Sequence, residues 1–170
     1  MKLGRHPQCA IFDTPPRRCL GGEPTPCDRI VVAPPYPLAW FEQAEADLRA
    51  ASLSASGDAH EWACFQAQQA GEKALKALLY GRGIPAILTH SLRRLIRECE
   101  AFDETFRALG EAARLLDQHY IATRVPTDLD SELPPTRYYE QRDADACLQS
   151  AHAILERVRP LLRVWTRVHD

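Results

Sequence analysis

At 170 residues, 45% hydrophobic and 26% charged, the chain has material for one domain with a substantial core plus an appended segment. Its formal net charge of -2 excludes a protein that coats nucleic acid by bulk electrostatics and confines any RNA contact to a local basic patch. No stretch reaches the roughly 20 apolar residues of a membrane span, and MKLGRHPQCA at the start lacks the apolar run of a secretory signal, so no membrane partner and a cytoplasmic location are expected.

Eight of the 13 prolines fall at positions 7, 15, 16, 24, 26, 34, 35 and 37, a density that cannot hold a helix or a central strand. Residues 1–37 are therefore expected to be a flexible, disordered tail. His6, Cys9, Cys19 and Cys27 are residue types that zinc uses, but their intervals are irregular and no close pair nucleates a site. No metal and no cofactor is expected. The other cysteines, 64, 99 and 147, sit inside helical patterns, and with no CxxC pair anywhere all six are read as reduced thiols.

From Leu38 onward apolar residues recur at helical spacing. Trp40, Phe41, Ala44, Leu48 and Ala51 form one stripe of a first helix, which SASGDAH breaks, with Asp58 placed to cap the next helix. A second helix runs from about His60 to Tyr80 and closes at GRG, where Gly81 or Gly83 can take the left-handed conformation. Thr89 is the expected cap of a third helix that turns Leu92, Leu95, Ile96 and Cys99 inward. A fourth carries Phe106, Leu109, Ala113, Leu116 and Tyr120 to a stop at Pro126. The proline-rich acidic stretch VPTDLDSELPPTRYY reads as a solvated linker, since Asp128, Asp130 and Glu132 lack the glycine turn and bidentate glutamate of a calcium loop. A long last helix starts near Glu140 and buries Ala144, Leu148, Ala151, Leu155, Val158 and Leu162, with Pro160 expected to kink or divide it. With no alternating apolar run, the fold class is an all-α, up-and-down bundle of four to five helices.

The second helix is the most informative. Ala63, Ala67, Ala70, Gly71, Ala74, Ala77 and Leu78 gather on one side, a small-residue face that lets a neighbouring helix approach closely. Opposite lie Gln69, Glu72, Lys73 and Lys76 with Trp62, Phe65 and Tyr80 among them. Large rings between polar groups mark a packing surface, for the first helix, the acidic linker or a second subunit.

The segments WFEQAEADLRAA, FQAQQAGEKALKALL, THSLRRLI and YIATRVPTD stand in the order and at the intervals of the HEPN domain, named for higher eukaryotes and prokaryotes nucleotide-binding. The chain resembles the prokaryotic type of that family over roughly residues 38 to 160, which sets the expected helical domain at 38–168. The resemblance implies four or five helices, a homodimer, and a minimal nucleotidyltransferase as antitoxin partner in a toxin–antitoxin arrangement. It also implies descent from metal-independent ribonucleases, whose signature is an arginine followed after four to six residues by a histidine. RLLDQH supplies this as Arg114 and His119. An imidazole can take the proton of a ribose 2'-hydroxyl and return it to the leaving oxygen, while a guanidinium offsets phosphate charge. Five residues of ideal helix turn the two side chains about 140° apart, so convergence needs a distorted helix or two subunits.

Tyr120 and Arg124 are four apart in YIATRVP and share a face. Two roles stand open: Arg124 holding the last carbonyls of its helix or an acid of DLDSE in place, or both residues edging a cleft for a phosphate or nucleotide. His90 reads as a capping or packing residue. Arg93 and Arg97, with Arg159, Arg163 and Arg167, step by four and offer the best electrostatic footing for RNA. Two functions are therefore open, an RNA-cleaving toxin and a non-catalytic dimeric module that binds a nucleotide or a partner.

Overall fold

The computed structural model describes residues 36–126 and 133–169. The expected tail, apart from its last two residues, lies outside the described residues, as do Asp128, Asp130 and Glu132 of the acidic linker. Among the described residues every regular element is helical: α1 Pro37–Ser56, α2 His60–Gly81, α3 Leu92–Glu100, a 3-10 helix Glu104–Leu109, α4 Gly110–Asp117, α5 His119–Ala122, α6 Pro135–Tyr138 and α7 Gln141–His169. No helix among them is long and apolar enough to cross a membrane.

Pro37 opens α1, where its missing N–H costs nothing and its fixed φ suits the first turn. Phe41, Ala44 and Ala51 are buried as the stripe requires, with Trp40 and Leu48 partly covered. The α1–α2 turn departs from expectation. Asp58 does not cap α2; it takes the left-handed conformation with φ 60° and sets its carboxylate 4.0 Å from His60 Nε2, so Ala59 stands at the cap position without a side-chain bond. The left-handed turn consumes the residue that would otherwise have capped. At the other end Gly83, φ 83°, closes α2.

α2 is the spine of the bundle, packed on α1 and α7 and touched by α3 and α4. Its alanines 63, 67, 70, 74 and 77 are fully buried, as is Leu75, and each such leucine contributes about 2 kcal/mol of hydrophobic stabilisation. Gly71 is the point of closest approach: a Cβ there would stand 2.8 Å from Leu92 Cδ2, 3.3 Å from Ile154 Cδ1 and 3.4 Å from Leu116 Cδ1.

α3 buries Leu92, Leu95, Ile96 and Cys99, but its cap is Ser91, not Thr89. Thr89 Oγ1 accepts from the Ser91 amide at 3.2 Å instead. The carboxylate of Asp117 completes that cap from 25 residues away, accepting the Leu92 amide at 2.7 Å, the Ser91 hydroxyl at 2.8 Å and the Arg93 amide at 3.2 Å.

The fourth helix is not continuous. It divides into the 3-10 helix, α4 and α5, with the second break at Gln118, directly after the aspartate engaged on α3. The first piece is tied down by Asp103, which accepts the Thr105 amide at 3.0 Å and pairs with Arg157 of α7. Phe106, Ala113 and Leu116 are fully buried, so the apolar stepping survives the breaks.

α7 runs unbroken through Pro160, which does not divide it. Asp143 in its first turn reaches back to the Glu140 amide at 2.9 Å, one half of a capping box. Ala144, Cys147, Ala151, Ile154, Leu155, Val158 and Leu162 face the core. The described cysteines are free thiols.

Candidate functional site

Gln68, Glu72 and Lys76 recur every four residues on α2 and should sit on a solvated stripe, yet all three are buried. They are satisfied by one another and by the chain crossing above them. Lys76 Nζ pairs with Glu72 Oε1 at 2.9 Å and lies 5.8 Å from the centre of the Trp40 ring of α1. Gln68 Nε2 donates to Glu72 Oε2 and to the His90 carbonyl, both at 3.2 Å, while Gln68 Oε1 accepts from Gln69 at 2.7 Å. Trp40 also packs on Tyr80, and Lys73 pairs with Asp47 of α1. The stretch of that side around Lys73, Lys76 and Tyr80 is thus a packing surface for the first helix.

The same carboxylate fixes His90, whose Nδ1 is 3.1 Å from Glu72 Oε1 while most of the ring faces solvent. His90 therefore packs rather than caps. Its ring stacks on Tyr120 at 5.3 Å with 12° between planes. Tyr120 neighbours Phe65 at 6.4 Å, and Trp62 meets Phe65 edge-on at 6.0 Å. Over these rings lies Arg124, its guanidinium 4.5 Å from the centre of Phe65 and 4.8 Å from that of Tyr120, with Nε donating to the Tyr120 carbonyl at 3.0 Å. The carbonyl bond anchors the arginine without satisfying it. Among the described residues its other four donors have no hydrogen-bond partner and no carboxylate pairs with it.

α2, the loop before α3 and the end of α5 thus build a ledge of rings carrying one oriented cation. Chemically, exposed rings can stack a base and the planar donor fork of an arginine can hold a phosphate. Tyr120 and Arg124 meet as the shared face predicts. Phe65 and His90 were not expected in the same place; no spacing rule links three segments that only the fold brings together.

Arg114 and His119 lie in separate surroundings. Arg114 is exposed, paired with Glu111 at 2.9 Å, and lines a groove of about 250 Å³ with Arg93 and Arg97 of α3. His119 lies beyond the break at Gln118, half-buried, with Nδ1 3.2 Å from the Tyr139 hydroxyl and its ring edge-on to that tyrosine. Burial holds its imidazole below the ordinary value, against a weaker opposite pull from Asp143. Among the described residues no hydrogen bond or ion pair links the two. Arg159 is engaged with Glu45 and Glu156, and the side chains of Arg163 and Arg167 lie outside the described set.

A family model described as HEPN domain matches residues 38–161. The crystal structure of TT1696 from Thermus thermophilus is 38% identical with a TM-score of 0.69, over 73% of this chain and 96% of that one. A second crystal structure, of an archaeal HEPN homologue, ST0689, is 36% identical with a TM-score of 0.63, over 75% and 98%. The Methanocaldococcus jannaschii protein named Putative toxin MJ1304 is 28% identical over 135 residues, 75% of this chain and 89% of its own.

Proposed function

The chain belongs to the HEPN domain family, and from that premise we propose that it is the HEPN half of a toxin–antitoxin type pair whose ledge holds a nucleotide, free or within single-stranded RNA. The observation that carries this reading is Arg124, held over Phe65 and Tyr120 with His90 stacked beside them. A base extends the stack from the solvent-facing ring of His90 and its phosphate meets the remaining guanidinium donors. Similarity to a protein named as a toxin supports the two-component setting, with a minimal nucleotidyltransferase as the antitoxin partner. Trp62, Ile121 and Val125 are exposed on the segments that form the ledge and give a second copy of the chain an apolar surface to cover, in keeping with a homodimer. In this reading residues 38–168 are the working domain, residues 1–37 an appended proline-rich segment, and the location cytoplasmic.

Metal-independent RNA cleavage is the second reading. It is favoured by the burial-depressed His119, a neutral proton acceptor at neutral pH, and by the arginines around Arg114. In a dimer each subunit would lend part of the site. Titration of ATP and of a short oligoribonucleotide tests the first reading: Arg124→Ala and Tyr120→Ala, folded by circular dichroism, should each bind about tenfold or more weakly, the worth of one stacking or charge contact. Wild-type affinity in both variants overturns the ledge. Cleavage of the same oligonucleotide in chelator, leaving a cyclic phosphate and lost on His119→Ala, would establish the second reading.

A further inference from the structure

Apart from the ledge, one cluster of reactive side chains has no place in the nucleotide-binding reading. Cys64 comes from α2, Cys147 from α7 and His119 from the start of α5, three elements distant in sequence. Their two sulfurs and an imidazole nitrogen all lie within 4.8 Å of one another. Both cysteines are completely buried. Tyr139 closes the group through its hydroxyl, 3.2 Å from His119 Nδ1.

We infer that Cys64, His119 and Cys147 form a binding site for a zinc-class divalent metal ion. Two thiolates and one imidazole are a soft, nitrogen-containing donor set of the kind such ions select, with a fourth position left for water. Ligand atoms around a tetrahedral zinc stand roughly 3.5 to 3.8 Å apart, so small inward side-chain rotations convert the observed spacing into coordination. The charges also balance, because two thiolates neutralise a divalent cation and spare the core a net charge. As the ion enters, each cysteine gives up its proton to solvent and the metal–sulfur bonds replace the S–H bonds. Half-buried His119 provides the way in. Hydrogen bonding of Nδ1 to Tyr139 is the outer contact that typically orients a ligand imidazole. The expectation of no metal rested on the tail and on the absence of a CxxC pair; here the two cysteines, at positions 64 and 147, are far apart in sequence and only the packing of α7 on α2 unites them.

The inference is independent of the ledge and competes with cleavage, since an imidazole committed to a metal is not a free base. The full chain, reduced and stripped with a chelator, is titrated with Co(II) as a spectroscopic probe and then with Zn(II). One equivalent of cobalt should produce thiolate charge-transfer bands and intense tetrahedral ligand-field bands, which zinc abolishes. Cys64→Ser and Cys147→Ser should each weaken binding at least tenfold. Cys99→Ser, and a variant with Cys9, Cys19 and Cys27 all changed to Ser, should retain it. Should the core variants fail to fold, the wild type still decides: zinc must raise its melting temperature and release protons in proportion to the metal bound. Absence of the cobalt spectrum, or its loss in the tail variant alone, overturns the site.

Discussion

α2 and the stretch from Glu104 to Ala122 are of similar length and both carry apolar residues at helical spacing, yet one is a single rod and the other three short pieces. The difference lies in what their polar residues are attached to. On α2, Gln68, Glu72 and Lys76 bind one another along the helix axis and reinforce its continuity. In and beside the broken stretch, Asp103 and Asp117 bind outward, to α7 and to the start of α3, and the second interruption directly follows Asp117. α2 also lends side chains to its neighbours, through Lys73 to Asp47 and Gln68 to His90, but its axial pairs run on from Gln68 to Lys76, and among the described residues no such pair spans Gln118. The segmented part carries His119 in its last piece and offers Tyr120 from the same piece to the ring of His90.

The comparison is broken most severely by removing the internal polar chain of α2. Glu72→Ala leaves Lys76 charged and buried without its carboxylate, and should cost about 3–5 kcal/mol in chemical denaturation. The paired change Glu72→Leu with Lys76→Met should recover most of that loss, because it removes both desolvated charges together. A double variant as unstable as the single one would mean that His90 and Gln68, not the ion pair, are what the carboxylate supports.

A smaller effect is expected at the outward-bound aspartate. Asp117→Ala removes the acceptor for two backbone amides at the start of α3 and should cost about 1–2 kcal/mol, the usual worth of a helix cap. Hydrogen exchange should accelerate at the amides of Leu92 and Arg93 while α2 stays protected. Uniform acceleration would show instead that the break at Gln118 is no weak point.

The smallest effect concerns pH. The Thr105 hydroxyl, then the Thr105 amide and Arg157, hold the Asp103 carboxyl below the usual carboxylate range. A depressed folded-state value means the unfolded chain takes up this proton first, so the stabilisation is present above about pH 4 and fades as pH falls through the folded value. Asp103→Asn should therefore unfold more easily at neutral pH, and its deficit against the wild type should shrink in acid. Parallel acid denaturation curves would remove Asp103 from the account.

Much of the fold was legible in the sequence because it depends on local repetition. The small-residue face of α2, the stripe of α1, the inward positions of α3 and the run of α7 all arise from the spacing of apolar residues. The illegible parts depend on partners supplied from afar. Thr89 and Ser91 are equally good caps by type, and only the arrival of Asp117 distinguishes them. The polar face of α2 is indistinguishable from a wet one until Trp40 and His90 are placed over it. At the candidate site, Tyr120 with Arg124 was readable from a spacing of four. Phe65 and His90 belong to other segments, and Arg114 and His119, joined by a motif in the sequence, stand apart as the turn of about 140° in their spacing implies.

Gly71 has a consequence for how this protein can change. Above it meet the tips of Leu92, Leu116 and Ile154, from three different elements, in the space one methyl group would fill. Substitutions among these four positions are consequently not independent: trimming any one of the three tips alters the room left for the others and for a side chain at 71. A larger residue at 71 is harmful alone and tolerable after one of its neighbours has shrunk, so the order in which such changes are acquired decides which of them survive.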